Sequence, residues 1–520
     1  MFKQLMNSVE SNLEALGEDA CLIRNVSMGL EREGLRVNQN GRLSQTPHPE
    51  VLGSALTHAN ITTDFAENLL EFVTNVYHSP EELYQALDEI QAFTSENLGD
   101  ELIWPDSMPP LINNVDDIPI AQYGTSNAAK MKTLYRTGLS HRYGKMMQSI
   151  AGIHFNFSLS DEFFLALQAA TNNQQSLADF KSERYLHLMR SVSRFGFLVP
   201  YFFGASPIMP KSFLSDNNHH QFERFDDETV YIKESTSLRL SDIGYSNNKC
   251  KFSVSFNSLE DYIANIEHAI STPCDKVSHI PIKKDGEYQQ INNHILQIEN
   301  EYYASIRPKQ VLKSGETLLS ALKQRGIGYV ELRSVDIMPT TPTGISIETI
   351  RFLQAFLTTC LLSDADPLCK AEYEQNQKNL ALIAAKGRTA GLTLNIRNQE
   401  QSLTELLDAI LEWVLPVANI LGPEYSATIA PLKSMIVDSN LTPSAKIISE
   451  LTASSVQYNE YCIGKALEYK NHYLSDSVLS EQQREAFKML AQQSISRQKD
   501  LEAEPQVDFD EYLSNYFKSI

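Results

Sequence analysis

Residues 29–37 read Gly-Leu-Glu-Arg-Glu-Gly-Leu-Arg-Val. In an extended strand Glu31 and Glu33 share one face, while Leu30 and Arg32 share the other. Two carboxylates on one strand face repel and are costly to bury without cations, so an isolated pair reads as a solvated sheet face. Three later segments repeat the device: Asn68-Leu-Leu-Glu71-Phe-Val-Thr74, Ala151-Gly-Ile-His154-Phe-Asn156-Phe-Ser158 and Tyr329-Val-Glu331-Leu-Arg333-Ser-Val-Asp336. Each is apolar on one parity and polar on the other, as in an antiparallel sheet with one greasy and one wet face. The wet face offers Glu, His, Asn and Arg where Lys, Thr and Ser are usual. That is a cradle for hard divalent cations, with Arg left to meet phosphate.

Glu31, Glu33, Asp64, Glu71, His154 and Glu331 are six metal-capable residues, enough for two or three ions. One imidazole among many carboxylates suits Mg²⁺ or Mn²⁺ better than Zn²⁺. Arg333 follows Glu331 by two positions on the same face, where a transferring phosphate needs its charge neutralised. From spacing alone, an ion pair with Glu331 along the strand is an equal reading of Arg333. Glycine-rich phosphate loops, the dinucleotide fingerprint, the nucleophile elbow and the H-E-x-x-H zinc helix are all missing. A nucleotide would therefore be held through metals and arginines.

These strands must be brought together by the rest of a 520-residue chain that is 42% hydrophobic, ample for a large core. A formal charge of −21 argues against nucleic acid or an anionic membrane as partner. The N-terminus lacks the build of a signal peptide, and the longest apolar run, 195–203, is too short to span a bilayer. The six cysteines (21, 250, 274, 360, 369 and 462) are scattered, so reduced thiols and a cytoplasmic location are expected. The pattern predicts an amphipathic helix within 1–24 and a strand over 28–37. Ser79-Pro80-Glu-Glu starts a helix to about Leu98, another runs from about 128 to 147, and 160–195 holds two more. Helical periodicity dominates after Ser346, and the last 40 residues read as polar helix and tail. The expected class is α+β, with a catalytic body over 1–370 and a mostly helical portion over 371–520 packed on it.

The segments Gly29–Val37, Ile61–Glu67, Ala121–Asn127, Leu134–Arg136, Gly152–Ser158, Thr236–Asp242, Leu296–Asn300 and Glu331–Asp336, in that order, closely resemble the bacterial type 1 glutamate–cysteine ligases. The resemblance implies a glutamine-synthetase-like antiparallel sheet curled into a funnel. It also implies the first step of glutathione synthesis: ATP phosphorylates the γ-carboxylate of L-glutamate, and the α-amine of L-cysteine attacks the acyl phosphate. By the same resemblance Glu31, Glu33, Asp64, Glu71, His154 and Glu331 are the Mg²⁺ positions, with Glu331 and Arg333 at the transferred phosphoryl group. Gln148, Asn156 and Arg239 fall at the glutamate, and Phe65, Tyr135, Tyr245 and Tyr303 at the cysteine. Feedback by glutathione and a monomeric state are further expectations. A related ligase using another amine, and a non-catalytic metal- or glutathione-binding regulator, are the alternatives. The aromatic set suits a small, soft thiol side chain, which a hydrogen-bond code would grip poorly.

Overall fold

The computed structural model describes residues 2–214, 221–243, 250, 252–313, 315–475 and 478–518. Its centre is an antiparallel sheet of seven strands. In chain order they are β1 (Val26–Val37), β2 (Ile61–Thr63), β3 (Leu69–Val73), β4 (Leu102–Ile103), β5 (Ile153–Leu159), β6 (Ile306–Lys309) and β7 (Tyr329–Val335). Across the sheet they run β6, β7, β5, β1, β3, β2, with β4 paired to the far end of β1. The four acidic segments are thus immediate neighbours, although some 300 residues of chain separate the first from the last.

Register sets the chemistry of each face, because directly paired residues point the same way. Glu33 pairs with Glu71, Glu31 with His154, Glu331 with Asn156, and Arg307 with Glu331. The other parity pairs Leu30 with Phe155, Met28 with Phe157, Arg32 with Phe72 and Leu332 with Phe155. Those apolar side chains are fully buried. A register shift after Leu332 bends β7 just where Arg333 follows.

Helices Pro80–Asn97, Leu177–Phe195 and Leu198–Phe203 lie on or beside this sheet, and Ile347–Leu362 and Leu403–Leu421 add outer layers. One hydrophobic core runs from Leu5 to Leu479. The signals at residues 79–80 hold: Ser79 accepts from the Glu82 amide and Pro80 occupies the first turn. The helix expected over 128–147 ends earlier, as Asn127–Tyr143. Gly144, at φ +86°, stops it and a single turn, Met147–Ser149, follows. The apolar run near 200 is a short buried helix, and no helix among the described residues is long and apolar enough to cross a membrane.

Two expectations are corrected. Cys250 and Cys274 are joined in a disulfide, with Cα atoms 6.2 Å apart. The two lie 24 positions apart in sequence with no motif between them, so nothing local signals the bond; the other four cysteines are free. The last 40 residues, read as polar helix and tail, keep the polar helix as Glu481–Ala503, but the tail changes. Phe509–Lys518 is an amphipathic helix whose Leu513 is buried against Met131, Leu134, Ile291 and Ile298.

Candidate active site

The wet face of the sheet floors a cavity of about 490 Å³, within the range of small-molecule sites. Glu31, Glu33, Asp64, Glu71, His154, Glu331, Arg333, Gln148, Arg239, Phe65, Tyr135 and Tyr303 all line it. Asn156 stands behind them on β5 and donates from Nδ2 to Glu31 Oε1 at 2.9 Å. Tyr245 lies outside the described residues.

His154 is the hub of the acidic group. Its Nδ1 is 3.0 Å from Glu31 Oε2 and 3.8 Å from Glu331 Oε1, and its Nε2 is 3.6 Å from Glu33 Oε1. Glu33 Oε2 accepts from the Gly152 amide at 2.7 Å, which aims its other oxygen at the cavity. Ligand atoms of Glu31, His154 and Glu331 lie within 4.8 Å of one another. Glu331 Oε2 and Asn156 Oδ1 are buried and accept no hydrogen bond from the described residues, so oxygen acceptors are left over where a hard cation would use them. The donor set of carboxylates plus one imidazole fits Mg²⁺ or Mn²⁺.

The carboxyls do not share one electrostatic state. Burial pushes Glu71 well above its ordinary value, reinforced by Asp64, Glu31 and Glu33. Burial also raises Glu33, against the pull of His154. For Glu31 burial acts upward and so does Glu331, but the hydrogen bond and charge of His154, with Lys309, hold it below the usual range. Burial likewise opposes ionisation of Glu331, yet Lys309, Arg333, His154 and Arg307 hold it far down. Glu71 and Glu33 therefore resist ionisation where they crowd together, while Glu31 and Glu331 are already balanced by cations.

That cationic side is built by β6 and β7. Arg333 Nη1 donates to Glu331 Oε1 at 3.1 Å, so the ion pair along the strand exists, and the same guanidinium faces the cavity. Lys309 Nζ reaches Glu331 Oε1 at 3.2 Å, and Arg307 points into the same space. Arg239 is fixed through Nη2 to the Arg333 carbonyl at 2.9 Å and through Nη1 to Asp336, 3.5 Å away. Asp336 in turn accepts from the Ala205 amide and from the Ser206 and Ser237 hydroxyls at 2.6–3.0 Å. Gly152 leaves room for that guanidinium, since a Cβ there would collide with Arg239 Nη2.

Helix Asn127–Tyr143 roofs the site through Ala128, Met131, Lys132, Tyr135, Arg136 and Leu139, one face at helical spacing. Burial and Arg136 bring the Lys132 ammonium down to about 8, against the pull of Glu71 and Asp64. Tyr123 braces this corner: its hydroxyl donates to the carbonyls of Thr63 and Asp64, while Lys132 and Arg136 lie over its ring. Sequence reasoning missed Lys132, Arg136, Arg307, Lys309, Tyr512 and Tyr516. The first pair was readable from the helical spacing of 128–139, and Arg307 and Lys309 from their alternation in Ile-Arg-Pro-Lys. Tyr512 and Tyr516 reach the rim from the far end of the chain, with no local signal.

The chain matches the family model described as glutamate-cysteine ligase over residues 13–383. It is 39% identical to the glutamate–cysteine ligase of Alcanivorax borkumensis, covering 98% of this chain and 100% of that one. It is 40% identical to that of Pseudomonas putida strain W619, over 98% of each. Among solved structures it resembles the Francisella tularensis glutamate–cysteine ligase in complex with AMP. The TM-score there is 0.90 at 36% identity, covering 95% of this chain and 98% of that one. A bifunctional glutathione synthetase from Pasteurella multocida shares the fold at TM-score 0.74 and 24% identity, covering 93% of this chain and 57% of that one.

Proposed function

The chain belongs to the glutamate–cysteine ligase family, and on that premise we propose how its residues carry out the ligation. The enzyme is an ATP-dependent ligase that joins the γ-carboxylate of L-glutamate to the α-amine of L-cysteine, the first step of glutathione synthesis. The observation that carries the residue assignment is one cavity with an uncompensated acidic pole and a separate cationic pole. Phosphorylating a carboxylate brings two anions together, and a site must neutralise both before reaction.

Glu31, Glu33, Asp64, Glu71, His154 and Glu331 would hold Mg²⁺, or Mn²⁺ in its place. When bound, such ions offset the charge of the ATP phosphates and of the glutamate carboxylate. Arg333 faces the transferred phosphoryl group, steadied by Glu331, and Lys309 and Arg307 extend that positive wall. Gln148, Asn156 and Arg239 orient glutamate so that a γ-carboxylate oxygen attacks the terminal phosphorus in line and ADP departs. Phe65, Tyr135, Tyr245 and Tyr303 hold cysteine, whose amine attacks the acyl carbon, loses a proton and expels phosphate. The AMP held by the Francisella relative supports adenine-nucleotide binding here.

The curled sheet acts as the funnel for these ligands, 1–370 is the catalytic body, and 371–520 is the helical portion packed on it. The protein acts as a monomer in the cytoplasm, where ATP and free cysteine occur; a Cys250–Cys274 disulfide is unusual for such a compartment. Glutathione, which contains the γ-glutamylcysteine unit, competes for the same cavity. The test is ADP release by purified protein with ATP, Mg²⁺ and L-glutamate, with and without L-cysteine, followed by mass analysis. Cysteine-dependent ADP with a γ-glutamylcysteine mass supports the reading. Stimulation by a different amine alone moves the acceptor, and no ADP under any condition returns the regulator reading.

A further inference from the structure

Arg32 lies between Glu31 and Glu33 in sequence but on the opposite face of β1, among the core side chains. It is 2% exposed, and its Nε and Nη1 have no hydrogen-bond partner among the described residues. The fold makes room for the guanidinium on two sides. A Cβ at Gly34 would collide with Arg32 Nη1, and one at Gly344 would come within 3.5 Å of Nε. The Phe72 ring, 5.8 Å away, offers a π face but no acceptor. A buried cation without an acceptor is among the most costly arrangements a core can contain.

Arg32 borders a cavity of about 20 Å³ between the sheet and helix Tyr458–Ser475, together with Gln91, Glu101, Tyr469, Lys470 and Tyr473. The carboxylate on this wall is committed elsewhere, and the two phenol protons are as well. Glu101 binds Arg36 Nη1 at 2.8 Å and the hydroxyls of Ser44 and Thr46. Tyr469 and Tyr473 donate to the Pro339 carbonyl and to Asp88. Lys470 donates to the carbonyls of Gly99 and Glu101, and adds a second positive charge. Gln91 Nε2, by contrast, is a third buried donor without a partner. The buried polar atoms left unpartnered on this wall are donors, beside two cations.

The volume admits one water-sized occupant, which excludes phosphate, sulfate or a carboxylate. A water molecule would accept from the donors but bring no negative charge to the guanidinium. We propose that this cavity is a binding site for a single monatomic anion of the chloride class, held by Arg32 and Gln91 on the back of the catalytic strand. The anion completes the core under Glu31 and Glu33 and ties β1 to helix Pro80–Asn97. The site is independent of the ligase reading, since neither residue faces the active cavity.

The test melts the full-length protein in sodium chloride and in sodium gluconate at equal ionic strength, and collects anomalous diffraction from crystals grown in sodium bromide. The expected result is a saturable rise in melting temperature in chloride only, with a bromide peak beside Arg32. Gln91→Met should raise the half-saturating chloride concentration roughly tenfold, and Arg32→Met should abolish the dependence. If Arg32→Met does not fold, Gln91→Met and the bromide peak decide. Equal melting in both salts, or a cavity holding water without anomalous signal, overturns the proposal.

Discussion

Glu33 shows how one side chain serves two opposed demands. Its buried carboxylate is destabilised by desolvation and by Asp64, yet it anchors the Gly152 amide and stands 3.6 Å from His154. Glu33→Gln keeps an acceptor for Gly152 while removing the charge. The expected outcome is an unchanged or higher melting temperature without divalent cation, and a rise of about tenfold or more in the Mg²⁺ concentration needed for half-maximal turnover. Normal turnover at low Mg²⁺ would remove Glu33 from the ligand set. His58 gives a pH prediction away from the chemistry. It is 8% exposed, its Nδ1 accepts from the Asn60 and Ile61 amides, and burial with the charge of Arg497 depresses it to about 4. An unfolded histidine titrates near 6.5. As pH falls from about 6.5 to 4, the unfolded chain therefore takes up a proton that the folded chain refuses, and stability is lost by up to about 3 kcal/mol. His58→Asn, whose oxygen can accept the same two amides, should flatten the fall in melting temperature over that window. An identical slope in the variant would place the acid sensitivity elsewhere.

At the scale of elements, the final helix is the piece that sequence reading undervalued. Phe509–Lys518 seats Leu513 in a small satellite cluster and brings Tyr512 and Tyr516 to the cavity rim, where Tyr516 also bonds Glu299 Oε2 at 3.3 Å. Burial of one leucine is worth about 1.5–3 kcal/mol, enough to hold a short helix but not the whole fold. Leu513→Asp should therefore leave the main melting transition in place, open the exposed link at 504–508 to proteases, and raise KM for the amino-acid substrates. Unchanged KM with a released helix would show that the two tyrosines are not part of the working wall. The strands, by contrast, were legible. Alternation in 28–37, 68–74, 151–158 and 329–336 separates wet from greasy residues because a pleated strand leaves little other choice. The pairing of Glu33 with Glu71 and of Glu331 with Asn156 was not legible, since register is set by contacts between segments far apart in sequence. For the same reason the Cys250–Cys274 bond had no signature, while Ser79 and Pro80 announced their helix locally.

Over the whole molecule, acid exceeds base by 21 charges, yet the cavity on the wet face of the sheet concentrates Arg239, Arg307, Lys309 and Arg333 along one wall. The sequence disclosed the acidic half because Glu-x-Glu on a strand is unusual; it hid most of the cationic half because lone Arg and Lys residues are common and ordinarily solvated. Bringing the two halves together is the work of the sheet order, which sets β6 and β7 beside β5 and β1. On the proposed assignment this charge separation makes glutamate attack ATP, forming an acyl phosphate that the cysteine amine then consumes. The most direct measurement supplies L-glutamate carrying ¹⁸O in its γ-carboxylate, with ATP, Mg²⁺ and L-cysteine, and weighs the inorganic phosphate released. The account predicts one ¹⁸O atom transferred to phosphate per peptide bond formed. Unlabelled phosphate, with product accumulating, would contradict it.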